Sequence, residues 1–126
     1  MVDVFIVDDD ESVGGALVRL IKEMGLNVHY ERDPVAALTL MKSAPPKMVV
    51  LDWRMPVMHG GEVLQSMRRD ARLKKVKVMV LSADDVHTSA IEAGATDFMN
   101  KAVIDIPTLT TKILGHVEPS STEPPT

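Results

Sequence analysis

One alternation limits what this 126-residue chain can fold into. A short β-prone apolar run stops abruptly at a polar residue, a stretch with helical spacing follows, and the pattern then repeats. Val4-Phe5-Ile6-Val7 stops at Asp8-Asp9-Asp10. Ser12 is a candidate cap for a helix whose apolar positions Val13, Leu17, Leu20, Ile21 and Met24 share one face, and Gly25 ends it. Val28 to Tyr30 reads as a short strand. Asp33-Pro34 supplies the cap and first residue of a second helix, with Val35, Leu38 and Met41 on its apolar side. Pro45-Pro46 breaks the chain before the strand Met48-Val49-Val50-Leu51, which ends in Asp52. A Pro- and Gly-rich loop over 54–61 leads into a helix over 62–69 with Val63, Leu64 and Met67 apolar. A fourth strand over 76–81 ends in Ser82, and a short helix over 86–93 is stopped by Gly94. Asp97-Phe98-Met99 is a fifth strand that ends near Lys101. A last helix over 106–117 has Leu109, Ile113 and Leu114 as its apolar residues.

Five strands alternating with five helices predict an α/β fold: a parallel sheet with helices on both faces. Strands this apolar fit burial on both sides. In open sheets of this kind ligands bind beyond the carboxyl ends of the strands. That rule selects Asp8, Asp9 and Asp10 after the first strand, Asp52 after the third, Ser82 after the fourth and Lys101 after the fifth. The expectation is that they gather at one edge.

Carboxylates crowded in a partly desolvated cleft repel one another, and a hard divalent cation relieves the repulsion. Mg²⁺ takes oxygen ligands and often needs only one or two carboxylates beside phosphate oxygens. Lys101 adds a point charge and Ser82 a hydroxyl, which together suit the oxygens of a transferring phosphoryl group. A carboxylate can itself be the nucleophile, forming an acyl phosphate. Asp52 is the best candidate because it stands singly at a central strand end. Asp10 reads as a helix-start charge. The chain has no cysteine, which excludes disulfides and thiolate chemistry. A formal charge of −4 gives no electrostatic reason to bind nucleic acid or anionic lipid, and the few aromatic residues offer no stacking platform. No apolar run is long enough to span a membrane, and the start lacks a signal peptide's basic segment, so a soluble cytoplasmic protein is expected. The nine methionines are scattered and read as core filler. The four histidines, His29, His59, His87 and His116, have no metal-site spacing and receive no role.

These residues resemble the response-regulator receiver domains of two-component signalling. The matching pieces are Val-Asp-Asp-Asp at 7–10, Leu-Asp-Trp-Arg-Met-Pro at 51–56, Gly60 with Glu62, Leu-Ser-Ala at 81–83, and Gly-Ala-Thr-Asp-Phe-Met-Asn-Lys at 94–101. The resemblance covers about residues 2–117 and implies a flavodoxin-like strand order of 2-1-3-4-5. It also implies roles. Asp52 would be the phosphoacceptor and a Mg²⁺ ligand. Asp9 would bind Mg²⁺ directly, Asp8 through water, and Arg54 through its backbone carbonyl. Lys101 would contact the phosphoryl group, and Ser82 and Phe98 would be the switch hydroxyl and aromatic. The donor would be a histidine kinase or phosphotransfer protein, and the only chemistry would be the domain's own phosphorylation and dephosphorylation.

The chain departs from the family at several positions. His59 stands where Asp or Asn often precedes the glycine. Arg54 and Asp84 flank the site, where they would tune the approach of water. Ala102 follows the lysine where proline, through a cis bond, is usual. A cis bond before alanine costs about 2.5–4 kcal/mol, so a trans bond is expected, with Lys101 less firmly held.

Residues 1–117 read as the receiver domain and 118–126 as a Pro/Ser/Thr-rich tail. The tail suits a stand-alone regulator or, preferably, a linker to an effector domain. The face over 86–117 is where such a domain would dock partners or pair with a second copy. Two other readings stay open: a docking module that is never phosphorylated, and a small phosphohydrolase using Asp8 and Asp10, against which the lack of room for a cap domain counts.

Overall fold

A computed structural model describes residues 1–117; the stretch 118–126, read above as a tail, lies outside the described residues. In chain order the elements are β1 (Val4–Val7), α1 (Glu11–Glu23), β2 (Val28–Glu31), α2 (Pro34–Ser43), β3 (Met48–Asp52), α3 (Gly60–Arg69), β4 (Lys77–Ser82), α4 (His87–Glu92), β5 (Asp97–Asn100) and α5 (Ile106–His116). A 3₁₀ turn, Lys101–Val103, separates β5 from α5. The strands form one parallel sheet in the order β2-β1-β3-β4-β5. The expected α/β fold and its strand order are therefore present.

Strand alternation divides the core between the two faces. Phe5, Val7, Val49, Leu51, Val78 and Val80 pack on one side with α2 (Ala37, Met41), α3 (Val63, Leu64, Met67) and α4 (Ala90). Val4, Ile6, Met48, Val50, Met79 and Leu81 pack on the other with α1 (Leu17, Ile21) and α5 (Leu109, Ile113). Six of the nine methionines are buried in these layers, as core filler should be.

The helix ends correct several details of the sequence reading. Asp10, not Ser12, caps α1: its carboxylate accepts the backbone N–H groups of Ser12 and Val13. Asp33 caps α2 as expected, but Val35 is exposed, and Ala37 lies inward with Leu38 and Met41. Helix α3 begins two residues early, at Gly60, because His59 caps it. In α5 Leu114 is exposed, so Leu109 and Ile113 carry the packing. Gly25 and Gly94 end their helices with φ of 82° and 108°, a region only glycine enters without strain. None of the helices in the described residues is long and apolar enough to cross a membrane.

Candidate functional site

Strands β1 and β3 are neighbours, yet the helices that follow them, α1 and α3, cover opposite faces of the sheet. The chain thus leaves β1 and β3 in different directions and opens a crevice at their carboxyl ends. Asp8 and Asp9 follow β1 there, and Asp52 is the last residue of β3. One carboxylate oxygen from each of the three lies within 4.8 Å of the other two. Asp8 and Asp52 are buried; Asp9 is half-buried at the rim.

Backbone contacts hold Asp8 and the chain beyond Asp52 in place. The Asp10 N–H donates to Asp8 Oδ1 at 2.9 Å, and the Tyr30 hydroxyl donates to the Asp8 carbonyl at 2.7 Å. Gly14 makes room for that ring: a Cβ there would stand 2.3 Å from Tyr30 Cζ. The backbone beyond Asp52 is fixed by Trp53 N–H to Leu81 O (2.9 Å) and by Gly60 N–H to Trp53 O (2.8 Å).

Lys101 enters from beyond β5, and its Nζ donates to Asp8 Oδ2 at 3.1 Å and to Asp52 Oδ1 at 3.2 Å. The Lys101–Ala102 bond is trans, as the cost of a cis bond before alanine led us to expect. Beyond that bond, Asn100 Oδ1 accepts the Ala102 N–H at 2.8 Å and starts the 3₁₀ turn, so bonds flank Lys101 at its ammonium and in the backbone that follows it.

One ammonium does not balance this cluster. Burial first, and then the Asp8 charge, raise the Asp52 carboxyl to about 7, against the opposing pull of Lys101. Burial pulls the Lys101 ammonium down, but the bonds and charges of Asp8 and Asp52 outweigh it, and its net shift is upward. Buried oxygens this close, with one carboxyl driven toward neutrality, fit a hard oxygen-seeking cation in type and number.

Ser82 ends β4 and is buried, with its Oγ accepting the Asp84 N–H at 3.1 Å. The Asp84 side chain forms an ion pair with Arg54 on the β3–α3 loop. Arg54 and Asp84, each two residues past a site residue (Asp52 and Ser82), thus meet although the sequence places them 30 residues apart. Phe98, on β5, is half-buried against the core of the α4 side, and the His87 ring stands edge-on to it with centroids 5.6 Å apart. All the side chains expected at the strand ends lie on this edge.

Sequence reasoning missed Tyr30, whose matching signal was a glycine inside a helix, and all four histidines. His29 packs on Phe5, His59 caps α3, His87 meets Phe98, and His116 lies 3.4 Å from Asp97. It also missed Arg68, whose guanidinium bonds the backbone carbonyls of Leu73, Lys74, Val76 and Gly94. Nothing local in the sequence marks an arginine whose partners are carbonyls.

Residues 4–114 match the model of the response regulator receiver domain family. The chemotaxis protein CheY-3 of Vibrio cholerae is 33% identical over 92 residues, covering 72% of this chain and 71% of that protein. The two-component response regulator ORR5 of Oryza sativa is 32% identical over 113 residues, covering 84% of each. Among solved structures, the chemotaxis protein CheY4 of Vibrio cholerae superposes with a TM-score of 0.84 at 23% identity, over 93% of this chain and 99% of that one; this likeness concerns the fold.

Proposed function

The chain belongs to the response regulator receiver domains of two-component signalling, and from that premise we propose that Asp52 accepts a phosphoryl group from a histidine kinase or phosphotransfer protein. The observation that carries this reading is the meeting of Asp8, Asp9 and Asp52 within 4.8 Å, with Lys101 bonded to two of them.

Asp8, Asp9 and Asp52, with the Arg54 carbonyl, would hold Mg²⁺, which when bound neutralises charge on phosphoryl oxygens. An Asp52 carboxylate oxygen forms a bond to phosphorus as the donor's phosphorus–nitrogen bond breaks and the imidazole leaves. Lys101 then turns one of its hydrogen bonds from Asp52 to a phosphoryl oxygen, and Ser82 donates its hydroxyl to another. Phe98 turns inward as Ser82 moves. In dephosphorylation water attacks phosphorus, the acyl phosphate bond breaks, the Asp52 carboxylate is restored and inorganic phosphate leaves. The Arg54–Asp84 pair stands over the approach of that water. This self-directed chemistry is all the catalysis proposed, in the cytoplasm where such kinases present their phosphohistidine.

The output would pass through α4, β5 and α5. There Ile91, Val103, Ile106 and Leu114 are exposed, and the surface would take a partner, a second copy or an effector domain following the tail.

The test is labelling by a small acyl or amido phosphate. With Mg²⁺ the parent takes up one acid-labile phosphoryl group, and Asp52→Asn takes up none. Equal uptake by the variant would move the acceptor elsewhere. No uptake by a folded parent would leave the docking module as the better reading. Millimolar Mg²⁺ should also raise the parent's melting temperature by mass action.

A further inference from the structure

His59 caps α3 in a way that depends on its protonation. The Gly61 N–H donates to His59 Nδ1 at 2.9 Å, and the Glu62 carboxylate accepts the His59 N–H at 3.2 Å. A ring nitrogen that accepts a hydrogen bond carries no proton, so the capping form is the neutral imidazole with its proton on Nε2. An imidazolium has two donors and no acceptor. Protonation therefore removes the Gly61 bond and sets a cation at the positive end of the α3 dipole. Histidine is the side chain that makes this change between about pH 5 and 8. The amide of Asn, one of the family's usual residues at this position, goes on accepting throughout that range.

The ring meets the neutral Trp53 of the β3–α3 loop edge-on, with centroids 4.8 Å apart, and on α3 the carboxylate of Glu62 closes the same cap. The Glu62 carboxylate cannot restore the acceptor that Gly61 loses on protonation of the ring.

The cap is joined to the site through Gly60. Its N–H bonds the Trp53 carbonyl, and a Cβ on it would stand 2.5 Å from the Asp52 carbonyl oxygen and 2.7 Å from Trp53 Cα. The first turn of α3 is thus stacked on the backbone of Asp52 and Trp53 with no side chain between. We infer that neutral His59 is a positioning residue for Asp52: by capping α3 it holds the Asp52–Trp53 backbone, and its protonation loosens that hold. The consequence for phosphoryl uptake rests on Asp52 being the acceptor; the cap does not.

Ring and amide ¹⁵N spectra of the parent and His59→Asn, recorded from pH 8 to pH 5, test the inference. At pH 8 the parent ring should carry its proton on Nε2. As the ring protonates, the protection factor of the Gly61 amide should fall about tenfold, the usual scale for losing a cap. The Asp52 and Trp53 amides should shift with the ring's midpoint. In His59→Asn the Gly61 amide should stay protected at both ends of the range. The parent-to-variant ratio of phosphoryl uptake from phosphoramidate should fall severalfold from pH 8 to pH 5; Asp52's own titration is common to both proteins and cancels. A ring protonated on Nδ1 at pH 8, Gly61 protection indifferent to ring protonation, or a flat uptake ratio would overturn the inference. Absence of uptake in both proteins at every pH would instead remove the phosphoacceptor reading, and the ring and amide data would still decide the cap.

Discussion

The loops on either side of the carboxylate cluster are built in opposite ways. The β3–α3 side is locked. Helix α3 is ten residues long, His59 and Glu62 close its start, and Gly60 sits on the Asp52–Trp53 backbone. The β4–α4 side is held lightly. Helix α4 is six residues long, its N-cap Val86 makes no side-chain capping bond, and the ion pair over it is exposed. Its far end, by contrast, is pinned, because Arg68 on α3 donates twice to the Gly94 carbonyl. The proposed function needs Asp52 held still and a surface elsewhere free to move. This asymmetry suits both, and it makes the pinned end of α4 the expected hinge.

The largest expected effect comes from breaking the locked side. Gly60→Ala puts a methyl against backbone that has no route of retreat, and should cost about 3 kcal/mol in urea unfolding. A loss under about 0.5 kcal/mol would mean that this side is not locked.

Arg68→Ala comes next. It leaves four backbone carbonyls without their charged partner and unpins α4, and should cost about 2–3 kcal/mol. Amide exchange should quicken around Gly94 and the 70–76 segment and leave the α3 start unchanged; uniform quickening would deny the hinge.

Asp52→Asn should act with the opposite sign. The Asp52 carboxyl stands at about 7 in the fold, against 3.8 when unperturbed. The folded chain therefore binds the extra proton between those values, and stability falls as pH rises through that window. Without Mg²⁺, the variant should be more stable than the parent by about 2 kcal/mol at pH 8, and the two should converge toward pH 4. Adding Mg²⁺ at pH 8 should close the gap from the parent's side. A parent that outlasts the variant without metal would contradict the crowding of charge at this site.

Arg54→Ala, on the lightly held side, should change stability by less than about 0.5 kcal/mol, since both partners are exposed. Its effect should appear as faster loss of phosphate from Asp52. A large stability loss would show that the β4–α4 side is held more firmly than its contacts suggest.

The sequence by itself determined the architecture and most of the site. Each apolar run that stops at a polar residue became a strand delivering that residue to one edge, because parallel strands buried on both faces admit polar groups only at their ends. Asp8, Asp9, Asp52, Ser82 and Lys101 were legible for this reason, before any distance was known. Helical faces were less legible: Val35 and Leu114 fit an apolar stripe yet face solvent, because the width of the buried stripe depends on how the helix lies on the sheet. Only the tertiary structure decided that Arg54 meets Asp84 and that Lys101 bonds both Asp8 and Asp52 beside a trans peptide. It alone gave His59 a cap to make, and Arg68 four carbonyls to gather. These contacts join segments far apart in the chain, or depend on which lone pair faces which proton, and no spacing of residue types records either.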